Sequence, residues 1–71
     1  METVEITDTM IRLGQLLKLA NLVEDGAEAK ALLAEGLVTV NGEPEQRRGR
    51  QLFSGDVVAV GDHQFTVVQG G

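Results

Sequence analysis

The sequence predicts an α+β domain in which two short helices pack on a small, mainly antiparallel sheet. Two successive segments in the first half of the chain space their apolar residues as the buried face of a helix does. The second half alternates apolar and polar residues between turns, which is typical of short strands. With 71 residues the chain has room for one domain, which we expect at residues 1–68, followed by a flexible tail at 69–71.

The first strand and the first helix follow from two different periodicities. Val4 and Ile6 alternate with polar neighbours, which predicts a short half-buried strand. Apolar residues then recur at positions i, i+3, i+4 and i+7, namely Leu13, Leu16, Leu17 and Ala20. This spacing places them on one face of a helix, which we predict at about residues 13–21.

Both ends of the second helix are marked. Asp25 is followed three residues later by Glu28, the arrangement of an acidic N-cap and its capping-box partner. Gly36 stands where the end of a helix favours a left-handed residue. The apolar stripe between these signals consists of Ala29, Leu32 and Leu33. We therefore predict a helix at about residues 26–35, which forms a helical pair with the first.

Strands and turns account for the rest of the chain. The alternating segment Val38–Val40 runs into Asn41-Gly42, a strong signal for a tight turn. Residues 43–50 are polar and contain the only proline, so we predict an extended loop there. Two more strands are expected at residues 57–60 and 64–68. The predicted core consists of Leu16, Leu17, Leu32, Leu33, Val38, Val40, Val58 and Phe65.

Composition excludes several classes of function. The chain has no cysteine and a single histidine, His63, so we expect no disulfide, no metal site and no cofactor. No apolar run reaches the length of a membrane span, and the first residues lack the basic start of a signal peptide. We therefore expect a cytoplasmic protein without a membrane partner. No nucleophile motif or phosphate-binding Gly-x-x-x-x-Gly-Lys occurs, so we do not expect an enzyme.

The charge is acidic overall but unevenly distributed. A net charge of −5 argues at first against a nucleic-acid partner. Residues 1–46 carry −6 and residues 51–71 carry −2, whereas residues 47–50 carry +3. This segment, Arg47-Arg48-Gly49-Arg50, is named the arginine loop. It predicts a local patch that can bind phosphate, while affinity for polyanions in general stays weak.

The order of the elements and their residues resemble the S4 RNA-binding domain. The resemblance spans about residues 11–60. It rests on the segments Ile11–Lys18 (IRLGQLLK), Glu28–Gly36 (EAKALLAEG), Leu37–Gly42 (LVTVNG) and Leu52–Val60 (LFSGDVVAV). The stretch from Lys30 to Gly42 is the most specific part. The run from Asn41-Gly42 into the arginine loop is similar to small bacterial stand-alone members of that superfamily, which are linked to ribosomal or structured RNA.

The resemblance implies an S4-like (alpha-L) fold and a non-catalytic module that recognises structured RNA through the helix pair and the arginine loop. Ribosomal RNA is the expected class, with the ribosome or its proteins as the setting, and we expect a monomer. The predicted RNA-binding residues are Arg12, Gln15, Lys18, Gly26, Lys30, Asn41, Arg47, Arg48 and Arg50. Many S4 domains carry Ser-Arg-Ser at the start of the second helix, where the arginine contacts RNA. Asp25-Gly26-Ala27 stands there in this chain, so we expect a modest affinity.

The chemistry of these residues suits an RNA backbone. A-form RNA offers phosphates and 2′-hydroxyls, so cations on a rigid helix pair would recognise its shape. Guanidinium groups bind phosphate bidentately, and Gly49 would let the loop bend so that its three arginines point to one side. Amides at the start of the second helix could cradle a phosphate beside Gly26. Each cation can also be read as ordinary exposed surface, Arg12 could pair with Glu5 or Asp8, and Asn41 is explained by turn geometry alone.

A second class of function stays open because the chain ends in Gly70-Gly71. Ubiquitin-like sulfur carriers end in Gly-Gly, and parts of this chain are similar to them, among them Val38–Glu43 and Gly55–Val58. Two helices in succession, a single strand before residue 13 and the arginine loop weigh against a carrier. A third interpretation is an adaptor that docks proteins through the arginine loop.

Overall fold

A computed structural model describes residues 2–70 and confirms the predicted α+β class. The helices are α1 (Leu13–Leu19) and α2 (Gly26–Ala34). The strands are β1 (Glu2–Ile6), β2 (Ile11–Arg12), β3 (Val38–Val40), β4 (Glu43–Pro44), β5 (Gln51–Leu52), β6 (Val57–Val60) and β7 (His63–Gln69). Among the described residues, neither helix is long and apolar enough to cross a membrane.

The strands form one sheet of five and one small ladder. The order in the sheet is β1-β7-β6-β3-β4, and β2 pairs with β5 separately. β1 and β7 run parallel, whereas the other described pairs are antiparallel. The sheet is therefore mainly antiparallel, as predicted. The register places Val58 beside both Val40 and Phe65, which aligns apolar side chains on one face of the sheet.

The helices share one core with that face of the sheet. Its fully buried large side chains are Leu13, Leu16, Leu17, Leu33, Leu52, Val38, Val40, Val58 and Val67. Burial of each such side chain contributes about 1.5–3 kcal/mol, which is what holds two short helices in place. Every predicted core residue is buried except Leu32, which packs against the core but is only partly buried.

The ends of the helices follow from local residues. α1 is shorter than predicted because Asn21 adopts a left-handed conformation with φ of 62°, which stops the helix. At the start of α2, the Asp25 carboxylate accepts the Glu28 N–H at 2.9 Å, and the Glu28 carboxylate accepts the Glu24 N–H at 2.6 Å. Gly36 has φ of 75°, the left-handed conformation predicted for the end of α2.

The segment predicted as an extended loop, residues 43–50, is more ordered than expected. β4 pairs back onto β3 through the Asn41-Gly42 turn, where φ is 52° and 86°. β5 follows directly after the segment and pairs with β2, a strand that was not predicted from the sequence. These strands have two residues each and are too short to show a periodic pattern. Residues 45–50 are therefore held at both ends.

The end of the chain also departs from the predicted flexible tail. β7 extends to Gln69, which pairs with Ile6 of β1. The Gly70 N–H donates to the Ile6 carbonyl at 2.8 Å. Residues 69 and 70 thus continue the hydrogen bonding of the sheet, because β1 offers them a parallel partner. Gly71, the last residue of the predicted tail, lies outside the described residues.

Candidate nucleic-acid interface

Backbone hydrogen bonds tie the arginine loop to the start of α1. The Leu13 N–H donates to the Arg50 carbonyl at 2.9 Å, and the Gly14 N–H donates to the Arg48 carbonyl at 3.0 Å. The Arg12 guanidinium adds a bond to the Gly49 carbonyl at 3.0 Å, rather than to Glu5 or Asp8. Because the first amides of a helix have no partner within it, the loop carbonyls satisfy donors that would otherwise need water. The loop is thereby fixed against α1.

Two glycines let the Arg48 side chain lie across the start of both helices. A Cβ added at Gly26 would come within 2.9 Å of the Arg48 Nη1, and one at Gly14 within 3.4 Å of the Arg48 Cβ. The Arg48 Nη1 donates to the Gly26 carbonyl at 3.3 Å. Gly26 is predicted from the sequence to let a phosphate approach, and in the structure it makes room for a guanidinium.

These contacts border a shallow surface cavity of about 330 Å³, which we name the basic cavity. It is lined by Arg12, Gly14, Gln15, Lys18, Gly26, Arg48 and Gly49. No carboxylate is among these lining residues. The Gln15 Oε1 accepts the Arg12 N–H at 3.1 Å, which orients the amide beside the cations. The fold thus brings together five of the predicted RNA-binding residues, from β2, α1, α2 and the arginine loop.

Lys30 and Asn41 lie outside the basic cavity. Lys30 is exposed on α2 and follows Gly26 by four residues, so it lies one turn further along the same face of the helix. The Asn41 Nδ2 donates to the Asp56 carboxylate at 3.1 Å, and its Oδ1 accepts the Val57 N–H at 2.9 Å. Both groups of the Asn41 amide hold the β3–β4 turn onto β6, which favours its interpretation as a turn former.

Arg47 and Arg50 converge on Glu45 and not on the basic cavity. The Glu45 Oε1 accepts the Arg50 Nη1 at 2.8 Å and the Arg47 Nη2 at 3.2 Å. The Glu45 Oε2 accepts the Arg47 Nε at 3.2 Å. The prediction that all three loop arginines point to one side is therefore wrong, because Arg48 lies against the helices. Sequence reasoning missed Glu45, although its spacing of two residues from Arg47 was a signal.

The Glu45 carboxylate organises this side of the loop. It is only 8% exposed, and hydrogen bonds from Arg47 first and then from Arg50 lower its pKa to about 2. The same contact raises the pKa of Arg47. The backbone N–H groups of Gln46 and Arg47 also donate to the Glu45 Oε2, at 3.1 and 3.2 Å. The ionised carboxylate thus fixes the loop and offsets part of its positive charge.

The start of α2 already carries two carboxylates. Asp25 accepts the Glu28 N–H, and Glu28 itself lies in the first turn of the helix. A further anion at these amides would meet like charges, which disfavours the phosphate cradle expected there. Within residues 2–70, no group of three or more His, Asp or Glu side chains could hold a metal ion.

A helical pair on a small, mainly antiparallel sheet, with a cation-lined cavity at the start of both helices, defines a small S4-like domain. The S4 domain family matches residues 4–68, and the chain belongs to that family. The resemblance inferred from the sequence is thereby confirmed.

Two relatives match this chain over most of its length and over most of their own. The chain is 50% identical over 66 residues to the Bacillus subtilis (strain 168) protein named "Probable ribosome maturation protein RlbA", which covers 92% of this chain and 93% of that protein. It is 40% identical over 58 residues to YbcJ of Escherichia coli (strain K12), covering 82% of this chain and 83% of YbcJ. The solution structure of YbcJ from E. coli is described as revealing an alpha-L motif involved in RNA binding. It is similar to this structure with a TM-score of 0.71 and a sequence identity of 36%. The match covers 96% of this chain and 87% of the YbcJ chain. None of these descriptions refers to a catalytic activity.

Proposed function

We propose that this protein is a non-catalytic module that binds structured RNA, and that the RNA is ribosomal. The observation that carries the proposal is the basic cavity, which gathers Arg12, Lys18 and Arg48 from two separate parts of the chain. The motif described for YbcJ and the name of RlbA support RNA as the ligand and ribosome maturation as the process.

The basic cavity suits a phosphate backbone better than a base sequence. Arg12 and Arg48 are held by bonds between the start of α1, the start of α2 and the loop, and Lys18 lies in the last turn of α1. Cations grouped in this way can contact neighbouring phosphates of a folded RNA, whereas the deep major groove of A-form RNA keeps its base edges out of reach. The Gln15 amide can add a hydrogen bond to a 2′-hydroxyl, the group that distinguishes RNA from DNA.

Arg48 supplies a guanidinium at the place where the S4 resemblance lacks one. Many S4 domains contact RNA through an arginine at the start of the second helix, where this chain has Gly26. The Arg48 side chain arrives at the Gly26 carbonyl from the arginine loop. We assign to Arg48 the role of that helix arginine, which makes the absence of Ser-Arg-Ser compatible with RNA binding.

The other predicted residues divide by their partners. Lys30 extends the cationic surface along α2, and Arg47, whose side chain is 75% exposed, borders it on the far side of the loop. Arg50 and Asn41 act by holding the loop and the β3–β4 turn in position. We further propose that the protein works as a cytoplasmic monomer, and that the single domain predicted at residues 1–68 extends to Gly70 through the pairing with β1.

The sulfur-carrier alternative has less support. The match to the S4 domain family over residues 4–68 accounts for almost the whole chain. The Gly70 N–H is hydrogen-bonded to β1, whereas a carrier needs a tail that can enter the channel of another enzyme. Mass spectrometry of the native protein tests this alternative, because a C-terminal thiocarboxylate would revive it.

Titration of RNA binding against salt tests the main proposal. The triple variant Arg12→Gln, Lys18→Gln, Arg48→Gln should lose about three phosphate contacts. Each lost contact should reduce the slope of log affinity against log salt by about 0.7–0.9. The measurement is fluorescence anisotropy with fragments of ribosomal RNA.

A charge-matched control separates the basic cavity from the overall charge. Gln64 is exposed on β7 and alternates with the buried Phe65, so it lies on the sheet face away from the helices. Gln64→Glu and Lys18→Gln each lower the net charge by one, and only Lys18→Gln should weaken binding. Equal losses in the two variants would contradict a local site.

A further inference from the structure

The two aromatic side chains of the protein lie in opposite environments. Phe65 is 5% exposed and belongs to the core, whereas Phe53 is 50% exposed. A single exposed apolar side chain is common at protein surfaces, so exposure alone assigns no role to Phe53. A role for Phe53 follows from the residues around it.

The turn after β5 holds Phe53 firmly. The Phe53 N–H donates to the Asp56 Oδ2 at 2.8 Å, and the Asp56 N–H donates to the Phe53 carbonyl at 3.0 Å. The Asp56 Oδ1 accepts the Asn41 Nδ2 at 3.1 Å. Both carboxylate oxygens are therefore engaged within the protein. With the backbone held, only the two side-chain torsions of Phe53 lose freedom when a ligand binds to the ring.

Phe53 borders a second open cavity, which we name the Phe53 cavity. It has a volume of about 700 Å³ and is lined by Arg47, Gly49, Arg50, Gln51, Phe53 and Asp56. It therefore combines a ring, the side-chain amide of Gln51 and two guanidinium groups. The amide can both donate and accept hydrogen bonds. Of the two arginines that bind Glu45, Arg47 is the more exposed, with 75% side-chain exposure against 34% for Arg50.

The Phe53 cavity adjoins the basic cavity. Gly49 lines both cavities, and its carbonyl accepts the Arg12 guanidinium at 3.0 Å. An RNA strand whose phosphates lie in the basic cavity therefore reaches the Phe53 cavity by crossing the arginine loop. At that point the protein offers a ring for stacking and a cation for the adjoining phosphate.

We propose that the Phe53 cavity is a second RNA subsite, which holds one unpaired nucleotide with its base stacked on Phe53 and its phosphate near Arg47. This inference rests on the proposed RNA binding and adds to it a preference for RNA with a bulged or looped-out base. The base must be unpaired because the faces of a paired base are covered by its neighbours in the helix. Stacking on a ring tolerates any base, since every base has a π-face, so the subsite selects RNA shape rather than sequence.

Two RNA hairpins with the same stem test the subsite, one of them with a single unpaired adenosine in the stem. We expect the wild type to prefer the bulged hairpin. Phe53→Leu should remove that preference and weaken binding of the bulged hairpin by about tenfold, within the range measured for base–aromatic stacking. Binding of the fully paired hairpin should change little. Phe53→Trp, which keeps a larger ring, should retain the preference.

Leu37→Ala is the matched control. Leu37 is 51% exposed, precedes β3 in the sequence and lines neither cavity. It should bind both hairpins as the wild type does. Aromatic NMR spectra give an independent readout, since Phe53 and Phe65 are the only two phenylalanines. The bulged hairpin should shift the ring signals of Phe53, with Phe65 as the internal reference.

The outcomes separate the subsite from RNA binding itself. If the wild type binds both hairpins equally while variants of the basic cavity still weaken both, the subsite is wrong and the proposed function stands. The same conclusion follows if Phe53→Leu weakens both hairpins alike or leaves the ring signals of Phe53 unshifted in the wild-type complex. If the wild type binds neither these hairpins nor ribosomal RNA fragments, the proposed function fails, and the subsite fails with it.

Discussion

The guanidinium groups on the two sides of the arginine loop have different hydrogen-bond partners. On one side Arg48 lies over Gly14 and Gly26 and donates to a neutral carbonyl. On the other side Arg47 and Arg50 donate to the Glu45 carboxylate. A guanidinium paired with a carboxylate must share or give up that partner to bind phosphate, whereas one beside a neutral carbonyl has no anion to displace. The position of Glu45 therefore leaves Arg48 beside a neutral carbonyl and engages Arg50, while the more exposed Arg47 would have to share Glu45 with a phosphate.

The largest expected effect is a difference between Arg48→Ala and Arg50→Ala. Arg48→Ala should raise the Kd for a ribosomal RNA fragment by about tenfold or more, because hydrogen bonds to charged groups contribute about 1.5–3 kcal/mol. Its Tm should stay close to that of the wild type, since the Arg48 side-chain bond is exposed. Arg50→Ala should lower the Tm, because Glu45 loses a hydrogen bond of 2.8 Å. It should change the Kd by less than about threefold, because Glu45 already occupies the Arg50 guanidinium.

Fluorescence anisotropy and thermal unfolding, measured on the same samples, check this pair of variants. Equal losses of affinity in Arg48→Ala and Arg50→Ala would remove the distinction between the two sides of the loop. A loss of affinity confined to Arg50→Ala would reverse it.

A smaller effect is expected from Gly26→Ala. The added Cβ would lie 2.9 Å from the Arg48 Nη1, the far end of a flexible side chain, so the guanidinium should move while the fold remains. Alanine also favours a helix over glycine, although by less at this first position of α2 than the about 1 kcal/mol of a helix interior, so the Tm should not fall. We expect the Kd to rise by about threefold, because only the position of one charge-assisted contact changes.

A double-mutant cycle shows whether Gly26 acts through Arg48. In the Arg48→Ala background, Gly26→Ala should have no further effect on affinity, because the side chain that it displaces is gone. If the two losses add, Gly26 contributes to RNA binding independently of Arg48.

The smallest effect concerns acid stability on the Glu45 side. The pKa of Glu45 is depressed from 4.5 to about 2, so its charged form stabilises the fold above about pH 4.5. This contribution is lost as the pH falls through the folded-state value near 2. The Tm of Glu45→Gln should therefore be lower than that of the wild type at neutral pH, and the two Tm values should converge toward pH 2.

Circular dichroism melts over a pH series measure this convergence. Curves for the wild type and Glu45→Gln that remain parallel from neutral pH to pH 2 would show that Glu45 gains nothing from its arginines. Asp62→Asn is a suitable control, because Asp62 is exposed in the β6–β7 turn.

Most of the fold could be predicted because its signals are local. The Asp25–Glu28 cap and the Asn41-Gly42 turn each lie within a few residues, and the structure has both. β2, β4 and β5 could not be predicted, since strands of two residues have no periodicity and exist through pairing with a distant segment. Local signals thus located the helices and the main strands but not the small ladder that positions the arginine loop.

The candidate site was predicted as a set of residues but not as an arrangement. The charge pattern identified the arginine loop, yet the direction of each side chain depends on tertiary contacts. Gly14 and Gly26 create the space for Arg48 only once both helices are packed together. Glu45 draws Arg47 and Arg50 aside, and the predicted common direction of the three arginines ignored that carboxylate. The exposed position of Phe53 could not be predicted either, because the pattern of apolar residues alone does not show that it lies outside the core.

The bonds between α1 and the arginine loop make the start of the helix depend on the loop. α1 has seven residues, fewer than an isolated helix needs to persist in water, and its Leu13 and Gly14 amides depend on carbonyls of the loop. Opening of the loop must therefore expose these two amides to solvent hydrogen exchange. A ligand that clamps the loop will slow their exchange even if it never touches them, so Leu13 and Gly14 act as built-in reporters of an occupied surface.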